Sequence, residues 1–111
     1  MTPQLIVTVD ENQDATVVHC SGRLTIEAGN TLRTEVQKFI KPKAKIVLDL
    51  TNVTHCDSMG MGTVISLYVS SKSAGSRFEI INMSQTIRKL FSMANILSLF
   101  EGAVDPTSRI P

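Results

Sequence analysis

The chain opens with two segments whose apolar and polar positions follow the period of a β-strand. Residues 5–9 alternate, and residues 15–21 are rich in β-branched side chains. The polar residues 10–14 between them predict a hairpin connection, and Gly22 is expected to end the second strand. The pattern therefore predicts an antiparallel pair of strands at the start of the domain.

From about Ile26 the apolar positions recur at the spacing of a helix. Thr25 is well placed as the N-cap of this helix, and Pro42 is expected to stop it. The nearly continuous apolar run at residues 45–50 then predicts a central strand that is covered on both faces. The apolar face of the helix comprises Ala28, Leu32, Val36, Phe39 and Ile40.

The second half of the chain repeats the alternation of strand and helix. Residues 51–57 predict a loop, Ser58 to Ala74 a second helix that Gly75 ends, and residues 78–81 a further strand. Ser84 is expected to cap a third helix. The predicted core-facing residues are Met61, Val64, Ile65 and Tyr68 in the second helix, Ile87, Leu90, Phe91 and Ala94 in the third, and Leu97, Leu99 and Phe100 in one more packed turn or short strand.

The order β-β-α-β-α-β-α predicts an α/β fold. Helices between strands imply parallel pairing with right-handed crossovers, so we expect a mostly parallel central sheet of four to five strands, with an N-terminal antiparallel hairpin, packed against helices. A chain of 111 residues has room for one such domain. We assign it to residues 1–104, with residues 105–111 as a frayed C-terminal tail.

Composition and charge narrow the classes of partner. Apolar residues make up 42% of the chain and charged residues 19%, with 11 basic and 10 acidic side chains giving a net charge of +1. This balance does not predict binding to nucleic acid or to an anionic membrane. No apolar run approaches the roughly 20 residues that cross a bilayer. The N-terminus lacks the pattern of an export signal, and two cysteines are too few for a disulfide scaffold, so a cytoplasmic protein is expected.

The most informative segment is residues 57–62, Asp-Ser-Met-Gly-Met-Gly, at the predicted start of the second helix. A glycine inside a helix costs about 1 kcal/mol relative to alanine, so Gly60 and Gly62 need a reason. Either a partner approaches the backbone closely there, or the helix packs closely on its own sheet. Ser58 also has two interpretations, since serine is a good N-cap and an exposed hydroxyl at a helix tip is accessible to a kinase.

Other candidate chemistry in the chain is weaker. The pairs His19-Cys20 and His55-Cys56 would project to opposite sides of a strand, so neither forms a nucleophile and base, and their spacing matches no standard zinc motif. The Gly60-Met-Gly62 element lacks the third glycine of a dinucleotide cradle, because Ile65 stands at that position. We therefore expect no catalytic residues, no metal and no cofactor.

Over about residues 5–101 the chain resembles the STAS domains of anti-sigma-factor antagonists. The similarity rests above all on Asp57-Ser58-x-Gly60-x-Gly62 before a helix. The strand at residues 46–50, the Gly-Arg-Leu-Thr element at residues 22–25 and the later Leu90-Phe91-x-Met-Ala add to it.

This resemblance implies a phosphorylation-controlled switch in which Ser58 is the phosphoacceptor. The unphosphorylated form would bind an anti-sigma factor and so release a sigma factor. The anti-sigma factor often doubles as a GHKL-type serine kinase, and a serine phosphatase resets the switch. The partner-binding surface would comprise Arg23, Thr25, Asp57, Met59, Gly60, Met61 and Gly62.

The chain departs from the family pattern at three of these positions. Thr25 stands where an aspartate is common, Arg23 where an acidic residue is frequent, and Met59 where a small residue is usual. The resemblance also leaves open a weak homodimer, a STAS scaffold subunit of a larger signalling assembly that is not phosphorylated, and a nucleotide-binding STAS module.

Overall fold

A computed structural model describes residues 5–25 and 28–93. The predictions for Ala94, for residues 97–100 and for the boundary between residues 104 and 105 lie outside these ranges. The elements are β1 (Leu5–Glu11), β2 (Thr16–Leu24), α1 (Gly29–Gln37), β3 (Lys45–Cys56), α2 (Ser58–Ser73), β4 (Arg77–Ile81) and α3 (Gln85–Met93).

Four strands of the described ranges form a single mixed sheet in the order β1-β2-β3-β4. β1 pairs with β2 in antiparallel fashion, whereas β2 with β3 and β3 with β4 are parallel. This confirms the predicted hairpin and the mostly parallel sheet.

The core lies between one face of the sheet and the three helices. Alternate strand residues such as Val18, Ile46 and Leu48 are fully buried, and they cluster with Leu32 and Phe91 from the helices. Ala28, Leu32 and Val36 of the first predicted helix face are buried as expected, and Phe39 and Ile40 pack against the core in part.

The opposite side of the sheet, which we call the open face, faces away from this core. It includes Thr8, His19, Val47, Asp49 and Glu79, which alternate with the core residues and are absent from the core cluster. The described helices pack on the core face only. The prediction that the central strand is covered on both faces therefore holds at Val47, which is buried, and fails at Asp49. Asp49, in the middle of β3, is accordingly left partly accessible.

β2 and β3 both run further than the sequence predicts. β2 passes through Gly22, whose φ of 109° accompanies a shift of register next to Arg23, and it ends at Leu24. β3 continues to Cys56, so the predicted loop at residues 51–57 is strand up to residue 56. Gly22 bends the strand without ending it, because a glycine with positive φ accommodates a bulge.

α1 begins at Gly29 and ends earlier than the apolar pattern suggests. Its N-cap residue is Ala28, which makes no side-chain cap, and the Ala28 amide donates a hydrogen bond to the Thr25 carbonyl at 3.0 Å. The prediction of Thr25 as the N-cap is therefore wrong. Close packing accompanies this start, since a Cβ on Gly29 would lie 2.8 Å from Thr63 Oγ1 of α2. The helix ends at Gln37, before Pro42, in two tighter turns.

The core faces of α2 and α3 match the prediction in part. In α2 the buried apolar side chains are Val64 and Leu67, whereas Met61 and Tyr68 are only partly buried against the core and Ile65 is outside the core cluster. Gly75, with φ of 82°, follows the end of α2 as expected. In α3, Ile87 and Phe91 are buried and Leu90 is partly buried. Ser84 Oγ accepts a hydrogen bond from the Ile87 amide at 3.2 Å, which confirms the predicted cap.

Candidate phosphorylation and partner-binding site

Ser58 is the first residue of α2, directly beyond the end of β3. Asp57 is the N-cap, with an extended backbone and a carboxylate that accepts a hydrogen bond from the Gly60 amide at 2.7 Å. The N-cap interpretation of Ser58 is therefore wrong. Ser58 is exposed, and its hydroxyl has no hydrogen-bond partner among residues 5–25 and 28–93.

The two glycines of this turn have different surroundings. Gly60 is buried, and a Cβ there would overlap the carbonyl oxygen of Leu24 and lie 3.1 Å from its Cγ. Gly62 is exposed, and a Cβ there would meet no atom within 4 Å. Close packing of the helix on its own sheet thus explains Gly60, while nothing within the described part of the protein requires a glycine at position 62.

Leu24 connects the start of α2 with the end of β2. It pairs with Cys56 in the sheet, and its carbonyl accepts a hydrogen bond from the Asp57 amide at 3.4 Å. Arg23 and Thr25, on either side of it, are exposed and half-buried respectively. The fold thus brings the two segments named from the resemblance to one end of the sheet.

The two methionines of this turn point to different environments. Met61 packs against the core, whereas 54% of Met59 is exposed. Met59 also lines an open cleft of about 260 Å³ between the first turns of α1 and α2, together with Gly29, Asn30, Arg33 and Thr63. The sequence did not predict that Arg33 lines this cleft, because nothing in the pattern distinguishes Arg33 from the other polar residues of α1.

The two histidine–cysteine pairs do not form a site. Cys20 is buried on the core side, while the adjacent His19 side chain is on the open face, as the alternation of a strand predicts. Burial raises the pKa of the Cys20 thiol to about 12, and it raises the pKa of Cys56 to about 11 with a further contribution from Asp57. Within the described ranges, no three His, Cys, Asp or Glu side chains are grouped so that they could hold a metal ion.

His19 instead belongs to a polar cluster that sequence reasoning missed. Its Nδ1 lies 2.8 Å from Asp49 Oδ2, and its Nε2 lies 3.0 Å from Asp10 Oδ2. Hydrogen bonds to Asp49 and then Asp10 raise the pKa of His19. Partial burial opposes ionisation of Asp49, but hydrogen bonds from Thr51, Asn82 and His19 outweigh it and lower the pKa of Asp49 to about 2. Pairing of β2 with both β1 and β3 brings these side chains together, and the hydrophobic periodicity of the sequence does not reveal it.

Comparison with known proteins identifies the family of this fold and site. A family model of the STAS domain matches residues 7–109. The chain belongs to the STAS domain family. None of the described helices is both long enough and apolar enough to cross a bilayer.

Among curated proteins, this STAS domain is similar to the anti-sigma-B factor antagonist of Bacillus subtilis. The two are 21% identical over 95 residues, which cover 86% of this chain and 87% of the relative.

Solved structures of SpoIIAA share the fold of this STAS domain. The unphosphorylated anti-sigma factor antagonist SpoIIAA aligns with a TM-score of 0.69 at 18% identity, covering 96% of this chain and 99% of the other. Its phosphorylated form, a Bacillus cell fate determinant, aligns with a TM-score of 0.67 at 19% identity, covering 92% and 99%. The four-stranded mixed sheet with its helices is therefore the STAS fold.

Proposed function

We propose that this STAS domain is an anti-sigma-factor antagonist, a cytoplasmic regulator and not an enzyme, whose partner binding is controlled by phosphorylation of Ser58. The unphosphorylated form binds an anti-sigma factor that is also a serine kinase, and a serine phosphatase restores that form. The exposed hydroxyl at the first residue of α2 is the observation that carries this proposal. The anti-sigma factor antagonists among its relatives support the class of partner.

The start of α2 is suited to accept a phosphate without unfolding. A phosphoserine carries about 1.5 to 2 negative charges, which the partial positive charge and unbonded amides of a helix N-terminus stabilise. The Gly60 amide is already bonded to Asp57, which leaves the amides of the two preceding residues for the phosphate. The Asp57 carboxylate opposes it by repulsion, so the folded domain should tolerate the modification with a small net change in stability.

A docked partner would tolerate the same phosphate poorly. Exposed Met59 offers an adaptable apolar contact, and the open space at Gly62 allows a protein surface to lie against the helix backbone. A phosphate inside that contact would lose its hydration and displace the partner surface. A penalty of about 3 kcal/mol corresponds to more than a hundredfold in affinity. The switch therefore acts at the interface and needs no large conformational change.

Intact mass of the protein purified from its native cell tests the phosphoacceptor. We expect an addition of about 80 Da on the wild type, which phosphatase treatment removes and Ser58→Ala abolishes. Ser66→Ala is the matched control, since Ser66 is also an exposed serine of α2. The addition should persist in this control, and an addition that persists in Ser58→Ala would contradict the proposal.

Affinity for the co-purifying partner tests the switch itself. Ser58→Ala should bind as tightly as the unphosphorylated wild type, and Ser58→Asp at least tenfold more weakly, because a carboxylate places negative charge in the same contact. Equal affinities for all three proteins would leave the start of α2 without a role in binding. Large assemblies of an unmodified chain would instead favour a scaffold subunit.

A further inference from the structure

The polar cluster on the open face of the sheet joins three strands through one imidazole. His19 of β2 lies between Asp10 of the edge strand β1 and Asp49 of the central strand β3, at 3.0 Å and 2.8 Å. We propose that His19 is a protonation-dependent latch that fastens β1 to β3 across β2. The latch lies on the open face and is independent of the function proposed for Ser58.

The geometry requires a protonated imidazole. A neutral histidine has one N–H group and one acceptor nitrogen, while an ionised carboxylate only accepts hydrogen bonds. Because both ring nitrogens of His19 contact a carboxylate oxygen, only the imidazolium can donate to both. Deprotonation would leave one nitrogen lone pair facing a carboxylate and break one arm of the latch.

The surrounding charges favour this state. On the neighbouring strands, the charged groups that face His19 are the two carboxylates, Asp10 from β1 and Asp49 from β3. Further along the open face, Lys45 and Arg77 lie 3.5 Å and 3.7 Å from Glu79, so these cations are engaged with a carboxylate of β4. The field at His19 is therefore negative, which stabilises its cationic form.

The latch makes stability depend on pH in one direction. The pKa of His19 is raised in the folded protein relative to 6.5, close to the value of an unfolded chain. As long as Asp49 is ionised, the latch therefore contributes its full stabilisation below about pH 6.5, and this contribution is lost as the pH rises through the raised folded pKa. Deprotonation would weaken the attachment of the edge strand β1, because among the described strands β1 pairs only with β2.

Titration of His19 by NMR, in the wild type and in Asp10→Asn, tests the latch directly. We expect the pKa of His19 in the wild type to lie above 6.5, and Asp10→Asn to lower it, because one of the two carboxylates that accept from the ring is removed. A wild-type His19 pKa at or below 6.5, or a pKa that Asp10→Asn leaves unchanged, would overturn the proposal. His55, whose hydrogen-bond partner among the described residues is the Thr54 hydroxyl at 3.0 Å, provides a control substitution.

Urea denaturation at about pH 6 and about pH 9, on either side of the ordinary histidine pKa, tests the effect on folding. The wild type and His55→Gln should both have a lower midpoint at the higher pH. In His19→Gln the midpoint at about pH 6 should be lower than in the wild type, and it should change little between the two pH values. A midpoint that falls equally in all three proteins would show that His19 does not fasten the sheet.

Discussion

Gly60 and Gly62 lie only two residues apart at the start of α2, yet their surroundings differ. The reason for a glycine is therefore not the same at the two positions. At Gly60 the carbonyl of Leu24 occupies the space of a side chain, so the requirement comes from packing inside the domain. At Gly62 a side chain would meet no atom of the described residues within 4 Å, so nothing in that part of the domain requires this helix-weakening residue. The sequence pattern alone could not separate these cases, because it shows two glycines at the start of one helix and not what packs against each of them.

Alanine at each position should therefore have opposite effects on stability. Gly60→Ala should lower the free energy of unfolding by about 1–3 kcal/mol through overpacking against backbone. Gly62→Ala should raise it by up to about 1 kcal/mol, because alanine favours the helix. Urea denaturation measures both changes. If Gly62 is kept for close approach of a partner, Gly62→Ala should also bind the co-purifying partner more weakly despite its greater stability. Similar losses of stability in both variants would refute the distinction.

At the scale of elements, the sequence predicts the type and order of every described helix and strand better than their ends. Strong periodicity predicts the three helices, and alternation predicts the hairpin. The extension of β3 to Cys56 is missed because its stability comes from pairing with β2 beyond Gly22, a contact far apart in sequence. Thr25 fails as an N-cap for a similar reason, since packing of Gly29 on α2 accompanies the start of α1.

The first turn of α2 depends on Asp57, whose carboxylate caps the Gly60 amide. Asp57→Ala should lower the free energy of unfolding by about 1 kcal/mol and speed hydrogen exchange at the Gly60 amide. Asp57→Asn is the matched variant, because asparagine caps helices about as well without the charge, and it should retain most of the stability. Equal destabilisation by both substitutions would mean that the charge of Asp57, and not its capping bond, holds the turn.

At the scale of the whole molecule, the candidate site was predictable from the sequence to a greater extent than the cluster on the open face. The Asp57-Ser58 motif is contiguous, so its position at the helix start followed from local pattern, and the STAS fold then brought Arg23 and Thr25 to the same end. Asp10, His19 and Asp49 are separated in sequence and meet only through strand register. Local periodicity contains no information about such a register.

Asp49 is the centre of that cluster, and we expect its carboxylate to contribute to the stability of the domain in acid. Its oxygens accept from the Thr51 amide at 2.9 Å, from Asn82 at 3.1 Å and from His19, so they connect β2, β3 and the residue that follows β4. Because the folded pKa of about 2 lies below the ordinary 3.8, the stabilisation is present above about pH 4 and is lost as the pH falls from there towards 2.

Asp49→Asn should therefore be less stable than the wild type at about pH 6, and its unfolding midpoint in urea should fall less steeply between about pH 4 and about pH 2. Glu11→Gln, at an exposed carboxyl of β1, is the control and should follow the wild type. An Asp49→Asn variant that loses stability as steeply as the wild type in this range would assign acid sensitivity to other carboxyl groups. Since His19 contacts the same carboxylate, its deprotonation should remove part of the same network at the alkaline end, so the domain should be most stable between these two transitions.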